Sequence, residues 1–270
     1  MEVQKTEPCN LCVIGTLHRG HVLQPRFPLA LLHHLLDLYA PDLVLLEIRA
    51  AQLAAGHWED APFEMAYLAH HAEDRGIAIA AFDWWQEPET PNTSPELDTA
   101  PAEVLSEIAE LERSELYPPF EVVHAPGSDT RLLRLLNARA RRPSGDFHWA
   151  QRQAWMNHAA TQAIEERRAK RCMLFAGYYH RMELEHYLSR VLHATVTSPL
   201  SLPIRWPEVD PCAQAPAQVI ARWRQSAARL RERSAISGGV QGKALARQAR
   251  QLEHIAEHGG ACTLALDELP

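Results

Sequence analysis

Two histidines follow apolar runs that end in glycine, and the two stretches are nearly the same. Each reads Gly-x-x-His-Arg, with Gly15 before His18 and Gly177 before His180. Imidazole is the usual general base near neutral pH and a frequent metal ligand. Because ligands of open α/β sheets bind beyond the carboxyl ends of the strands, we expect both histidines to contribute to one shared site.

Carboxylates at the ends of other apolar runs would complete this site. Glu47 and Asp83 each end such a run. One carboxylate and two histidines suit a divalent metal with open coordination positions, such as manganese, cobalt or zinc. We therefore predict His18, Glu47 and His180 as metal ligands and catalytic residues; the alternative for Glu47 is to orient a histidine or cap a helix. Asp83 could bind the metal or a metal ligand, or it could begin a turn. His21 could be a further ligand or a solvated side chain.

Substrate-binding side chains are predicted close to these positions. Arg152 would hold a substrate carboxylate or stabilise an oxyanion and so act in catalysis, with a surface ion pair as the alternative. Tyr178 and Tyr179 occupy the variable places of the second motif, and Trp84 and Trp85 follow the third apolar run. Either tyrosine could bind substrate by donating to an oxyanion, with a buried aromatic as the alternative. The tryptophans would line an apolar pocket, with packing under the helical cap as the alternative.

The elements that must position these residues alternate between strand and helix. Apolar runs and helical periodicity predict strands at 11–15, 43–47, 77–83, 172–176 and 194–197, and helices at 29–39, 62–75 and 183–192. Continuous apolar runs are typical of parallel strands that are buried on both faces. We therefore predict an α/β fold with a central, mainly parallel sheet, built from two related units that each start strand-GxxH-helix. The first two strands should be neighbours, which would bring Glu47 near His18.

Helical segments complete the predicted single domain of residues 1–270. Residues 101–171 read as a mainly helical insert between the two units, which we expect to cap the sheet edge and direct Arg152 towards the pocket. Residues 212–258 predict a C-terminal pair of long helices, whose apolar faces suggest a homodimer. A last edge strand is predicted at 261–266.

The ordered set of motifs resembles the TraB/Tiki family, within a wider group that includes the erythromycin esterases and the ChaN-like haem-binding proteins. The resemblance spans residues 11–203 and rests on the two GxxH motifs, an acidic residue ending the second strand, and Arg-x-x-x-Met on a helix before the second GxxH. In this chain these are Gly15 and His18, Glu47, Arg152 and Met156, and Gly177 and His180. Met156 itself is interpreted as core packing.

The resemblance implies hydrolysis, by one of two mechanisms. The Tiki proteins imply metal-dependent cleavage of peptides, and the erythromycin esterases imply ester hydrolysis with a histidine base and no obligatory metal. We therefore expect a hydrolase that cleaves a peptide, amide or ester bond of a peptide or small molecule, with a divalent metal. The alternative is a ligand-binding or regulatory protein, since ChaN-like relatives bind haem and TraB relatives intercept peptide signals.

Composition excludes several other classes. A hydrophobic fraction of 46% supports a substantial core, and a net charge of −7 disfavours nucleic-acid partners. The sequence has no apolar run near the ~20 residues that span a bilayer and no secretory pattern, and its five cysteines form no spaced framework. We expect a cytoplasmic protein without a membrane partner. The sequence also lacks a Gly-x-Ser-x-Gly elbow, a Walker loop and a dinucleotide fingerprint.

Overall fold

A computed structural model of the chain describes residues 8–84, 117–140 and 147–262, and the single positions 103 and 106. Within them the strands are β1 (Asn10–Thr16), β2 (Leu43–Arg49), β3 (Ala78–Asp83), β4 (Arg171–Gly177) and β5 (Thr195–Val196). The helices are α1 (Leu29–Tyr39), α2 (Ala50–Ala55), α3 (Phe63–Asp74), α4 (Phe120–His124), α5 (Ser128–Ala140), α6 (Phe147–Arg167), α7 (Tyr178–Val191), α8 (Ala217–Ser237) and α9 (Gly239–Glu257). The predicted α/β class with a C-terminal helical pair is confirmed.

Some predictions fall outside the described residues. These are the role of Trp85, most of the predicted strand 261–266, and two parts of the predicted insert, 141–146 and most of 101–116. The described part of the insert contains the helices α4, α5 and α6.

The five strands form one parallel sheet in the order β3-β2-β4-β1-β5. The prediction that β1 and β2 are neighbours is wrong, because β4 lies between them. The two strands of the GxxH motifs pair directly instead, from Asn10 with Arg171 to Thr16 with Gly177. Their side chains are buried on both faces, so they occupy central positions, while the partly exposed β3 and the exposed β5 form the edges. This order places Glu47 beside the end of β4.

Apolar side chains on the two faces of the sheet belong to separate clusters. Along β1, Cys12 and Ile14 join the first cluster, while Leu11 and Val13 join the second. The first cluster also includes apolar residues of α1, α3, α8 and α9. In the second, α6 packs on the sheet through residues one helical turn apart: Met156, Ala160 and Ile164. Met156 is therefore a core residue, and α6 lies along a face of the sheet.

The C-terminal helices α8 and α9 pack against each other and against the first cluster. Trp223 is buried, and its indole N–H donates to the carbonyl oxygen of Phe63 at 2.8 Å. Because Leu230 and Leu252 also lie in this cluster, the apolar faces that suggested a homodimer pack within the chain. Neither these long helices nor any other described helix has the length and apolar character to span a bilayer.

Candidate active site

A cavity of about 510 Å³ lies beyond the carboxyl ends of β1 and β2. Its polar lining includes three of the four predicted catalytic residues, His18, Glu47 and Arg152. Its apolar lining comes from the residue after β1, the segment leading into α3, and the end of α9: Leu17, Ala61, Pro62, Phe63, Leu252 and Ile255. The C-terminal helix α9 therefore covers part of the cavity, and α6 contributes Arg152.

Gly177, the last residue of β4, is where His18 and Glu47 approach each other. Its backbone N–H donates to Oε2 of Glu47. A Cβ atom at this position would lie 2.7 Å from Nε2 of His18 and 3.4 Å from Oε2 of Glu47, so any larger residue would displace the His18 ring. The pairing of β2 with β3 is irregular between Leu46 and Arg49, and such bulges re-aim side chains near functional sites. The groups from the ends of β1 and β2 thus meet across the end of β4.

A buried carboxylate on α3 holds the His18 ring. Nδ1 of His18 lies 2.8 Å from Oε1 of Glu64, whose side chain is fully buried. The other carboxylate oxygen of Glu64 is buried and has no hydrogen-bond partner in the described part of the chain. His18 also has a left-handed backbone, with a φ of 51°, which non-glycine residues rarely adopt outside constrained sites. Sequence reasoning missed Glu64, although an acid between Phe63 and Met65 on an apolar helix is itself a signal.

The pKa values of this group follow from burial and from the paired charges. Partial burial of the His18 ring opposes its charged form, but Glu64 and then Glu47 outweigh this effect and raise the pKa of His18 to about 9. Burial favours the neutral form of Glu64, yet His18 lowers the pKa of this carboxyl. Burial raises the pKa of Glu47 against the opposing effects of His18 and Arg152. At neutral pH the His18–Glu64 pair is therefore an imidazolium and a carboxylate.

Arg152 continues this row of charges towards β3. Its guanidinium donates to Oε1 of Glu47 at 2.7 Å, and to the two carboxylate oxygens of Asp83 at 2.8 and 3.0 Å. Only 19% of its side chain is exposed, so Arg152 forms a largely buried network rather than the surface ion pair considered as the alternative. Charges of alternating sign therefore form one row: Glu64, His18, Glu47, Arg152 and Asp83.

His180 lies next to Glu47 but is not among the residues that line the cavity, and its part in a shared site stays a prediction. The ring is buried, and its Nε2 is 3.9 Å from Oε1 of Glu47. Its Nδ1 donates to Oε1 of Gln153 at 2.7 Å, since the Gln153 amide nitrogen donates to Asn157. The ring also stacks on Trp149, with 4.2 Å between centroids. Protein groups therefore enclose His180 on several sides.

The charge state of His180 is set by these surroundings. Burial, then the charges of Arg152 and His18, hold the pKa of His180 well below its ordinary value. The ring is therefore neutral, with its proton on Nδ1.

The predicted metal ligands do not form a ready coordination sphere in this conformation. Both oxygens of Glu47 accept hydrogen bonds, from Gly177 and from Arg152. Among the described residues, three ligand atoms come within 4.8 Å of one another at the end of α9, and not at His18, Glu47 and His180. The donor set therefore does not fit the metal as arranged, and metal dependence at this site stays a prediction.

Two further histidines near the site are structural. Nε2 of His21 accepts from the backbone N–H of Leu17 at 3.0 Å, and Nδ1 donates to the carbonyl oxygen of Phe27 at 2.8 Å. Burial lowers the pKa of His21 to about 4, so it is neither the further ligand nor the solvated side chain considered above. His124 accepts from the N–H of Gly15 at 3.1 Å, and burial lowers its pKa to about 3.

The described aromatic residues that were predicted to bind substrate do not line the cavity. Tyr178 is buried in the first cluster, and Tyr179 packs against that cluster. The Trp84 ring stacks on Trp155, with centroids 5.7 Å apart. Tyr178 and Tyr179 begin α7, and the first turn of this helix directs them into the protein. Tyr117 does line the cavity, and sequence reasoning missed it.

Searches against protein-family models, curated proteins and solved structures found no match. The resemblance to the TraB/Tiki family therefore rests on the motifs themselves and stays a prediction.

Proposed function

We propose that the chain is a hydrolase of ester or amide bonds in which Glu47 acts as the base and His18 as the acid. The observation that carries this proposal is the approach of both groups across Gly177 at the wall of a cavity. Titratable groups that face one pocket, with pKa values shifted by their surroundings, are typical of acid–base catalysis. We expect a cytoplasmic enzyme that acts on a small molecule or short peptide.

Glu47 is the group suited to activate water. Burial raises the pKa of its carboxyl, which makes the carboxylate a better proton acceptor than an exposed one. The hydrogen bonds from Gly177 and Arg152 fix its orientation. The water proton passes to Glu47 as the water oxygen bonds to the substrate carbonyl carbon.

His18 is the group suited to stabilise and protonate the substrate. With Nδ1 held by Glu64, Nε2 carries the second proton of the imidazolium. This N–H donates to the carbonyl oxygen as negative charge develops there, or to the leaving group as its bond to the carbonyl carbon breaks. Arg152 orients Glu47 and adds positive charge to the cavity wall.

The cavity favours a substrate with a short apolar part. Phe63, Leu252 and Ile255 would contact an acyl or alkyl group, and the charged residues would face the scissile bond. A panel of 4-nitrophenyl esters of increasing acyl length, together with amino-acid 4-nitroanilides, tests this with the wild type and His18→Ala. His158 is an exposed residue of α6 that does not line the cavity, so His158→Ala is a matched control.

We expect His18→Ala to lower kcat/KM by about a hundredfold or more, and His158→Ala to leave it unchanged. The pH profile of the wild type should be bell-shaped, because Glu47 must be ionised and His18 protonated, with the alkaline limb near pH 9. A rate that keeps rising above pH 9 would show that His18 acts as a neutral base instead. Loss of activity on chelation, with recovery on adding manganese, cobalt or zinc, would favour the metal-dependent mechanism if His18→Ala also lowers the amount of bound metal. Absence of turnover together with a Soret band would favour the haem-binding alternative.

A further inference from the structure

A separate cluster of metal-binding side chains lies at the end of α9. Among the described residues, His254, Glu257 and His258 form a group whose ligand atoms all lie within 4.8 Å of one another. Their spacing, His-x-x-Glu-His, puts the two histidines one helical turn apart on one face. These residues do not line the cavity described above and take no part in the proposed acid–base mechanism.

A hydrogen bond orients one of the two imidazoles of this cluster to act as a ligand. Nδ1 of His258 donates to the carbonyl oxygen of His254 at 2.9 Å, which leaves a lone pair on Nε2 of His258. Such a bond from the far ring nitrogen is the usual outer contact of a metal-binding histidine. Nδ1 of His254 lies 3.9 Å from Oε2 of Glu257, and the buried Nε2 of His254 has no hydrogen-bond partner among the residues that the structure describes.

The electrostatics of the helix end favour a cation at this place. The carbonyl groups of the last turn of α9 give the helix a partial negative charge there, and Glu257 adds a formal one. The Glu257 side chain is 68% exposed, so it can rotate towards an ion between the two rings. The ring centroids of His254 and His258 are only 4.4 Å apart, which brings two nitrogen donors to one side of the helix.

We propose that His254, Glu257 and His258 bind a divalent transition metal, with zinc as the ion that best suits two imidazoles and a carboxylate. Water would complete the coordination sphere. The same spacing occurs in one class of zinc peptidases, but here the residues lie outside the cavity. The ion would instead fix the end of α9, whose residues Leu252 and Ile255 form part of the cavity wall.

Zinc binding by tag-free protein tests the proposal. Protein dialysed against a chelator and then against buffer is titrated with Zn²⁺ by calorimetry, and its melting temperature is measured with and without the ion. We expect zinc to bind and the melting temperature to rise, because an ion that binds only the folded state stabilises it. His258→Ala and Glu257→Gln should each weaken this binding by at least about tenfold.

Two controls separate this site from others in the chain. His158→Ala, at an exposed position on α6, and His18→Ala, in the cavity, should both retain zinc binding at the end of α9 and the rise in melting temperature that it causes. Failure of the wild type to bind zinc would overturn the proposal, as would unchanged binding by both His258→Ala and Glu257→Gln. Because the readout is binding, the result does not depend on whether the chain is a hydrolase.

Discussion

Replacing Glu64 by Gln tests the central electrostatic contact of the candidate site. The amide keeps the size of the side chain and an oxygen that accepts from Nδ1 of His18, but it removes the charge that sustains the imidazolium. The partial burial of the His18 ring, which favours its neutral form, then meets much less opposition. We expect the pKa of His18 to fall from about 9 to below its ordinary value of 6.5.

This change makes the stability of the protein depend differently on pH. Because the folded-state pKa of His18 is raised, its contribution to the free energy of unfolding is fully present below pH 6.5 and is lost as the pH rises through about 9. A rise of that size corresponds to about 3 kcal/mol for a wholly enclosed group. Since 45% of the His18 side chain is exposed, solvent screening reduces the expected contribution to about 1–2 kcal/mol.

NMR titration of the His18 ring and urea unfolding between about pH 6 and about pH 9.5 measure the two effects. The stability difference between wild type and Glu64→Gln should be largest at the acidic end of this range and should shrink towards the alkaline end. Glu73→Gln is a matched control, because Glu73 lies on the same helix and pairs with Arg222 at the surface. A His18 pKa that stays near 9 in Glu64→Gln, or a stability difference that does not vary with pH, would refute the reasoning.

Two more substitutions test the contacts of Glu47. Gly177→Ala places a methyl group against the end of the His18 ring. Thermal unfolding should show that the free energy of unfolding falls by about 1–3 kcal/mol, and hydrolysis should be abolished. Wild-type activity in this variant would contradict the close approach of the ring to Gly177. Arg152→Ala removes the guanidinium that donates to the carboxylates of Glu47 and Asp83. Urea unfolding should show that the free energy of unfolding falls by about 3–5 kcal/mol. A fall of less than about 1 kcal/mol would mean that the network is not buried as described.

Most of the framework could be predicted because each central strand carries its signal in consecutive residues. The run predicted at 43–47 is β2 (Leu43–Arg49), and the predicted helix 29–39 is α1 (Leu29–Tyr39). The short helix α2 (Ala50–Ala55) was missed, since six residues without a buried face give no periodic signal.

Which residues form the site was harder to predict, because this depends on the order of the strands in the sheet. Local sequence places His18 and Glu47 at strand ends, but it does not say which strand lies between them. Glu64 contacts His18 from a helix 46 residues further along the chain, so no local spacing links the two residues. Tyr178 and Tyr179 illustrate the converse: proximity to the second motif suggested substrate contact, yet the direction of the first turn of α7 takes them into or against the core.

Because β4 lies between β1 and β2, the end of β4 is where His18 and Glu47 meet. The second motif therefore contributes to this contact through Gly177. Gly177 provides the N–H that holds Glu47 and the space that admits the His18 ring. His180 lies next to Glu47, is neutral and donates to Gln153. The two GxxH motifs are therefore alike in sequence but not in role: the first supplies the charged imidazole of the cavity, and the second supplies the backbone position at which that imidazole meets a carboxylate.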